Sequence, residues 1–358
     1  MEETTLDIKQ LGWNQELEKA FSEHQDKRYQ AGRVVLEHKG MYRVLTEQGE
    51  LLSEISGKFR FGAKGREDFP AVGDWVVLST RHEEGKATIH EVLPRFSKFS
   101  RKLAGETTEE QVVAANIDTI FLVNALNNDF NVRRIERYLL MAWESGANPV
   151  IILTKADLCD DIDRRLNEVE SIAFGVPIHL VSVVTEIGID ELSIYFGPGK
   201  TVALLGSSGA GKSTLTNFLL GEHKQVVQEI RQGDDRGRHT TTHRELLALP
   251  TGGLIIDTPG MRELQLWDAG DGLSESFTEI EDLAAQCRYR DCQHQTEPGC
   301  AVKNAIDEGI LDEKRFQSYE KLQKELAYLE RKADKRAQLV EKEKWKKITK
   351  SIKGKNRV

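Results

Sequence analysis

The sequence predicts an α/β phosphate-loop domain, preceded by a small OB-type β-barrel and followed by a mainly helical segment organised by a cysteine/histidine cluster. Three observations predict this order. Gly206 to Thr214 (Gly-Ser-Ser-Gly-Ala-Gly-Lys-Ser-Thr) match Gly-x4-Gly-Lys-[Ser/Thr], after the apolar run Thr201 to Leu205 and ahead of a helix that Gly221 can end. Between about Gly32 and Leu93 the pattern is instead one of short alternating runs. Three of the four cysteines, Cys287, Cys292 and Cys300, crowd into fourteen residues beside His294.

At 358 residues the chain has room for two or three domains and an ample core. Its net charge of −8 excludes a uniformly basic nucleic-acid binder, but the charge is uneven. Residues 331–358 hold 12 Lys/Arg against 3 Asp/Glu, a net +9, so the preceding 330 residues carry −17. Met1-Glu-Glu-Thr-Thr5 lacks the basic start and apolar core of a signal peptide, and no apolar run approaches the ~20 residues of a membrane span. A soluble, cytoplasmic chain without a membrane partner, and a monomer, is expected.

Taken in order, residues 1–30 form an N-terminal extension with one weakly amphipathic helix, Asn14 to His24, expected to pack onto the next domain. Residues 31–95 form the barrel, with strands at Arg33–Glu37, Met41–Leu45, Asp74–Leu78 and Ala87–Val92, and turns at Gln48-Gly49 and Val72-Gly73. Lys58-Phe-Arg-Phe61 alternates, so a strand there would put Phe59 and Phe61 together on a core face. Residues 94–116, rich in Ser, Lys, Thr and Glu, read as a linker. The α/β domain, 96–270, then alternates strands (117–123, 149–153, 177–182) with helices (131–146, 160–174). Repeated βα units imply a parallel sheet covered on both faces.

The phosphate loop itself comprises Gly206, Ser207, Ser208, Gly209, Ala210, Gly211, Lys212, Ser213 and Thr214. A strand, a glycine-rich loop and a helix N-terminus make a nest of backbone N–H groups for a phosphate chain. Lys212 can reach the β/γ-phosphates, and the Ser213 hydroxyl can ligate Mg²⁺. Upstream, Thr154, Lys155, Ala156 and Asp157 follow a buried strand. A carboxylate there can accept from the N1–H and N2–H₂ of guanine, a donor pair adenine lacks, while the Lys155 stem packs along the base; Asp157 as a simple helix cap is the other reading. Ser182 and Val183 end the next strand, where a backbone N–H can meet the guanine O6. Downstream, Leu254 to Gly260 is an apolar strand ending in Asp-x-x-Gly, with Asp257 suited to Mg²⁺ and the Gly260 N–H to a γ-phosphate. Between lie residues 231–242, polar and glycine-rich, whose threonines are candidates for sensing Mg²⁺ and γ-phosphate; Thr241 is taken as the Mg²⁺ residue.

These are the parts of a GTPase in an unusual chain order, the guanine-reading pieces coming before the phosphate loop. That order resembles the ribosome-small-subunit-dependent GTPase family, RsgA/YjeQ, over residues from about 31 to 320. The resemblance implies an OB barrel, a circularly permuted P-loop GTPase domain and a zinc-binding C-terminal domain. It implies hydrolysis of GTP to GDP, stimulated by the 30S ribosomal subunit during its late maturation, with 16S rRNA as partner. Gly237 to Thr242 (Gly-Arg-His-Thr-Thr-Thr) matches the family's switch signature, and a catalytic role has been inferred there for the histidine, here His239. With Lys212 and Gly260, His239 completes the expected catalytic set. Three positions depart from common GTPase patterns: Thr154 stands for Asn, Val183 for Ala, and Met261 for the water-orienting Gln.

Cys287-x4-Cys292-x-His294-x5-Cys300 offers three thiolates and one imidazole, a closed zinc set with no open position, and the reading is structural. It lies in the C-terminal domain, 271–330, where Phe316, Tyr319, Leu322, Leu326 and Leu329 form a stripe expected to pack on the zinc module. Cys159 is expected to be a buried or half-buried thiol. The basic tail, 331–358, reads as an arm for phosphate backbones or as a solvated extension. Two rival functions remain at this point. A P-loop small-molecule kinase would need an acceptor pocket and a lid, and an RNA-binding scaffold would bind nucleotide with little turnover.

Overall fold

Alternating apolar positions close five strands into a barrel in the computed structural model, which describes residues 7–24, 28–102, 110–221, 244–257, 277–295, 297–313, 315–324 and 327. The strands are β1 (Gln30–His38), β2 (Met41–Thr46), β3 (Gly49–Ile55), β4 (Trp75–Arg81) and β5 (Lys86–Val92). They pair in the order β1-β2-β3-β5-β4, and β4 pairs back with β1, so this sheet closes on itself. Only the β3–β5 pair is parallel. Val34, Val44, Leu51, Ile55, Val76, Leu78 and Ile89 fill the interior. Gly32 is required there, because a Cβ would stand 2.5 Å from Val44 Cγ1 and 2.7 Å from Leu78 Cδ1. The expected OB-type barrel is therefore observed, with β3 added to the four runs read from the sequence.

Two expectations fail in this region. Residues 57–62 are not a strand but a short helix, α2 (Gly57–Gly62), capped by the Ser56 hydroxyl, which accepts from the Phe59 N–H at 3.1 Å. A helix turns about 200° over two residues, so the two phenylalanines separate. Phe59 packs on the barrel core and on Phe69, whereas Phe61 is 95% exposed. The linker read at 94–116 is a hairpin, β6 (Lys98–Lys102) with β7 (Glu110–Ala115), paired antiparallel with a bulge between Phe99 and Ser100. Its polar composition hid the buried face formed by Phe99, Val112 and Ala114.

The α/β sheet contains β8 (Thr119–Ala125), β9 (Asn148–Thr154), β10 (Ile178–Val181), β11 (Thr201–Gly206), β12 (Glu245–Ala248) and β13 (Leu254–Asp257). Their order in space is β10-β9-β8-β11-β13-β12; all neighbours are parallel except β12, which runs antiparallel to β13. Counted from β11, the strands read 6-5-4-1-3-2 across the sheet, which is one nucleotide-binding sheet whose chain has been cut ahead of β8. Every residue of β8 is buried, as a parallel strand covered on both faces must be. Helix α3 (Val132–Ser145) turns Ile135, Leu139 and Ala142 inward, with Asn131 as its N-cap and Gly146, at φ +80°, as its C-cap. Helices α4 (Ile162–Glu170) and α5 (Lys212–Leu220) follow β9 and β11. Barrel and α/β sheet meet where Leu36 of β1 pairs with Glu245 of β12, beside an Arg43–Glu245 ion pair.

The N-terminal helix α1 (Gln15–Phe21) is capped by Asn14 and buries Leu17. Nearby, Trp13 packs edge-on against Trp75 at 4.9 Å, and buried Arg33 donates to the carbonyls of Leu11, Gly73 and Asn116. Burial lowers the Arg33 pKa to about 10, but three carbonyl acceptors keep its charge satisfied.

The chain divides into two units, Met1–Gln265, to which all of these elements belong, and Leu266–Val358. In the second, α6 (Thr278–Ala285), α7 (Ala301–Asp307) and helical residues 315–324 enclose Phe277, Ile280, Val302, Phe316 and Tyr319. Arg315 spans this unit, its guanidinium 4.2 Å from the Phe277 ring and 2.8 Å from Glu279. Leu326, Leu329 and the basic tail lie outside the described residues. Among the described residues no helix is long and apolar enough to cross a membrane.

Candidate nucleotide site and metal centre

Strand β11 delivers Gly206 to the C-terminal edge of the sheet, between β8 and β13. A Cβ on Gly206 would stand 2.2 Å from the Val123 carbonyl oxygen, so only glycine lets the two strands close there. The chain then turns through Gly209 at φ +75° and Gly211 at φ +92°, left-handed positions that glycine occupies without strain. At Lys212 it enters α5, whose first turn aims N–H groups back into the loop. Lys212 is 6% exposed, and its ammonium donates to the carbonyls of Gly206 at 2.7 Å and Ser207 at 2.6 Å. A buried cation inside a curl of N–H groups is an anion site in charge and in shape. Ser207, Ser208, Gly209, Ser213 and Thr214 are half-buried around it.

Strand β9 brings up the second group. Thr154, its last residue, donates its hydroxyl to the Ala210 carbonyl at 2.6 Å, across 56 residues of chain. The hydroxyl thus supports the phosphate loop where an Asn amide was missed in the sequence. Lys155 takes φ +57°, and a single turn, Ala156–Leu158, then presents an exposed Asp157. The buried Ser182 hydroxyl, from the end of β10, donates to Asp157 Oδ1 at 2.6 Å and accepts from the Thr185 N–H at 3.2 Å. The Ser182 N–H itself donates to the Ile187 carbonyl at 3.0 Å, so an incoming acceptor would have to be met by Val183 or Val184. Thr154, Asp157, Ser182 and Gly206 to Thr214 therefore stand together along the carboxyl ends of β9, β10 and β11, where open α/β sheets bind ligands.

Asp257 ends β13, beside β11, so its backbone lies on the same edge. Residues 231–242, with His239 and Thr241, and Gly260 and Met261 lie outside the described residues. One neighbour of the loop went unread in the sequence. Asp129, between β8 and α3, accepts the Ser207 hydroxyl at 2.5 Å and is paired with Arg134 at 2.9 Å. The turn residues Asn127 to Asn131 at the end of a strand adjoining β11 were the available signal, and only the sheet order gives that adjacency.

In the second unit, the ligand atoms of Cys287, Cys292, His294 and Cys300 all lie within 4.8 Å of one another. Cys287 Sγ is 3.6 Å from His294 Nδ1 and 3.9 Å from Cys300 Sγ, and Nδ1 is 3.4 Å from Cys300 Sγ. These spacings approach the edges of a tetrahedron with metal–ligand bonds of about 2.0–2.3 Å, roughly 3.5–3.8 Å. The four side chains could therefore hold one metal ion in a closed set. Cys300 also caps α7, accepting from the Lys303 N–H at 3.4 Å, and Phe316 packs edge-on against the His294 ring at 5.9 Å. Cys159 is half-buried, as expected.

Comparison with known proteins agrees with this geometry. A family model described as RsgA GTPase matches residues 92–267, and one described as 50S ribosome-binding GTPase matches residues 201–357. The second match begins at the first residue of β11, leaving the strands that carry Thr154 and Ser182 upstream of it. The small ribosomal subunit biogenesis GTPase RsgA 1 of Oceanobacillus iheyensis is 50% identical over 318 residues, 88% of this chain and 91% of that protein. The small ribosomal subunit biogenesis GTPase RsgA of Opitutus terrae is 46% identical over 362 residues, 99% of each chain. Among solved structures, YjeQ from Thermotoga maritima aligns with a TM-score of 0.63 at 33% identity, covering 84% of this chain and 99% of that one. YloQ, described as a circularly permuted GTPase, aligns with a TM-score of 0.60 at 24% identity, covering 85% of this chain and 97% of that one, a likeness of fold.

Proposed function

The chain belongs to the RsgA GTPase family, and on that premise we propose that its GTP hydrolysis acts as a switch on the small ribosomal subunit during late maturation. The observation that carries the reading is the Thr154–Ala210 hydrogen bond, which joins the base-reading strand to the phosphate loop in a single site. Asp157, steadied by Ser182, takes the guanine N1–H and N2–H₂; the Val183 N–H takes O6, and the Lys155 stem covers the base. Residues 206–214 cradle the phosphates, and Lys212 leaves the two loop carbonyls for the β/γ-phosphates. Ser213, Thr241 and Asp257 would hold Mg²⁺, which offsets phosphate charge when bound. The Gly260 N–H contacts the γ-phosphate, and His239 orients the attacking water. GTP orders residues 231–242 and so sets affinity for the subunit; hydrolysis releases it.

The metal of the second unit is zinc, held by Cys287, Cys292, His294 and Cys300 in a structural role. One zinc per chain is expected by elemental analysis, and Cys292→Ser should loosen residues 280–305 in hydrogen exchange while GDP affinity stays within about twofold. A chain that retains no zinc when purified without chelator contradicts the assignment. The working form is a cytoplasmic monomer that meets 16S rRNA through the basic residues 331–358, which carry a net +9. The switch is tested by GTP turnover with and without purified 30S particles. Stimulation of about tenfold or more is expected of a partner that completes the switch, and a rate indifferent to 30S particles overturns that partner.

A further inference from the structure

Asp129 belongs to no phosphate-binding motif, and its charge has the wrong sign for a site that holds anions. Yet Ser207, the first loop residue after Gly206, donates its hydroxyl to Asp129 Oδ2 at 2.5 Å. On its other side Arg134 engages both carboxylate oxygens, Nη1 to Oδ1 at 3.2 Å and Nη2 to Oδ2 at 2.9 Å, and also donates to the Asp129 carbonyl. The backbone is held as well. The Asp129 N–H donates to Asn127 Oδ1 at 3.0 Å, and the Arg134 N–H to the helix cap Asn131 at 3.1 Å. The two side chains are 33% and 24% exposed, so water screens their charges only in part.

We propose that Asp129 and Arg134 are positioning residues for the phosphate chain: Asp129 fixes the start of the loop through Ser207, and Arg134 cancels a charge that would otherwise repel the nucleotide. The proposal rests on residues 206–214 being the nucleotide site. It gives the two residues effects of opposite sign. Losing Arg134 bares a carboxylate beside the phosphates. Replacing Asp129 with Asn keeps an oxygen for the Ser207 hydroxyl and leaves the guanidinium unopposed. A brace that acted by shape alone would weaken binding in either case.

The test is GDP affinity, at low and at physiological salt, for the full chain and for Arg134→Gln, Asp129→Asn and the double variant. At low salt Arg134→Gln should weaken GDP by on the order of tenfold, and Asp129→Asn should tighten it severalfold. The double variant should return to within about threefold of the parent, and every difference should shrink as salt rises. A gain in affinity cannot come from misfolding, so Asp129→Asn keeps the test open even where Arg134→Gln folds poorly. Losses in both single variants, with a double variant no better than either, overturn the proposal. A parent chain that fails to bind GDP at all is a different failure, that of the nucleotide site itself.

Discussion

His239→Ala is expected to lose 30S-stimulated GTP turnover by about 10²-fold or more while GDP affinity and subunit binding with a non-hydrolysable GTP analogue are retained. The reason begins at Met261, which follows Asp257-x-x-Gly260 where many GTPases carry a water-orienting Gln. A thioether neither donates nor accepts a useful hydrogen bond to water. Another group has to orient the nucleophile, and His239 is the imidazole of the switch signature, next to Thr240, Thr241 and Thr242. Imidazole can hold or accept a proton near neutral pH, which hydroxyls and arginines cannot do. A role confined to rRNA contact would lower subunit binding and leave the turnover of bound complexes near the parent rate. The three measurements separate the two roles, and turnover surviving near the parent level would assign water positioning elsewhere, including to the ribosome.

The phosphate loop was legible because its requirements are local. Gly206, Gly209 and Gly211 serve a close approach to Val123 or a left-handed turn, and Lys212 opens the helix behind them. The Thr154–Asp157 motif was legible as a strand end, and so was the Cys287–Cys300 cluster, whose ligands come from one short stretch. The rest depended on neighbours brought in by tertiary structure. Phe59 and Phe61 alternate like a strand, yet Ser56 caps a helix there and Phe61 is left in water. In the β6–β7 hairpin a bulge falls between Phe99 and Ser100, and Val112 to Ala115 are buried on both faces of β7, so neither strand carries the period-two signal. Asp129 and Arg134 carry no motif at all. They matter only because β8 lies beside β11, and a linear chain in permuted order does not show that.

The central claim is that two stretches of chain in reversed order build one guanine-nucleotide site, and Asp157→Asn tests it most directly. Asp157 Oδ1 already accepts from Ser182, which fixes the carboxylate with its other oxygen and remaining lone pairs toward an incoming base. Guanine supplies two donors to that carboxylate, in charge-assisted bonds that an amide cannot reproduce. An Asn side chain instead offers one acceptor and one donor, the pattern that matches xanthine, whose C2 carries a carbonyl in place of the amine. The measurement is displacement of labelled nucleoside diphosphate by GDP, ADP and XDP, for the parent and the variant. The parent should prefer GDP over ADP by on the order of 10²-fold or more, since adenine would cover the Asp157 carboxylate without offering the two donors that guanine supplies. The variant should lose GDP affinity by a similar factor and bind XDP more tightly than GDP. Equal competition by ADP in the parent, or a variant that keeps its preference for GDP, would contradict a base-reading role for Asp157 and with it the single site.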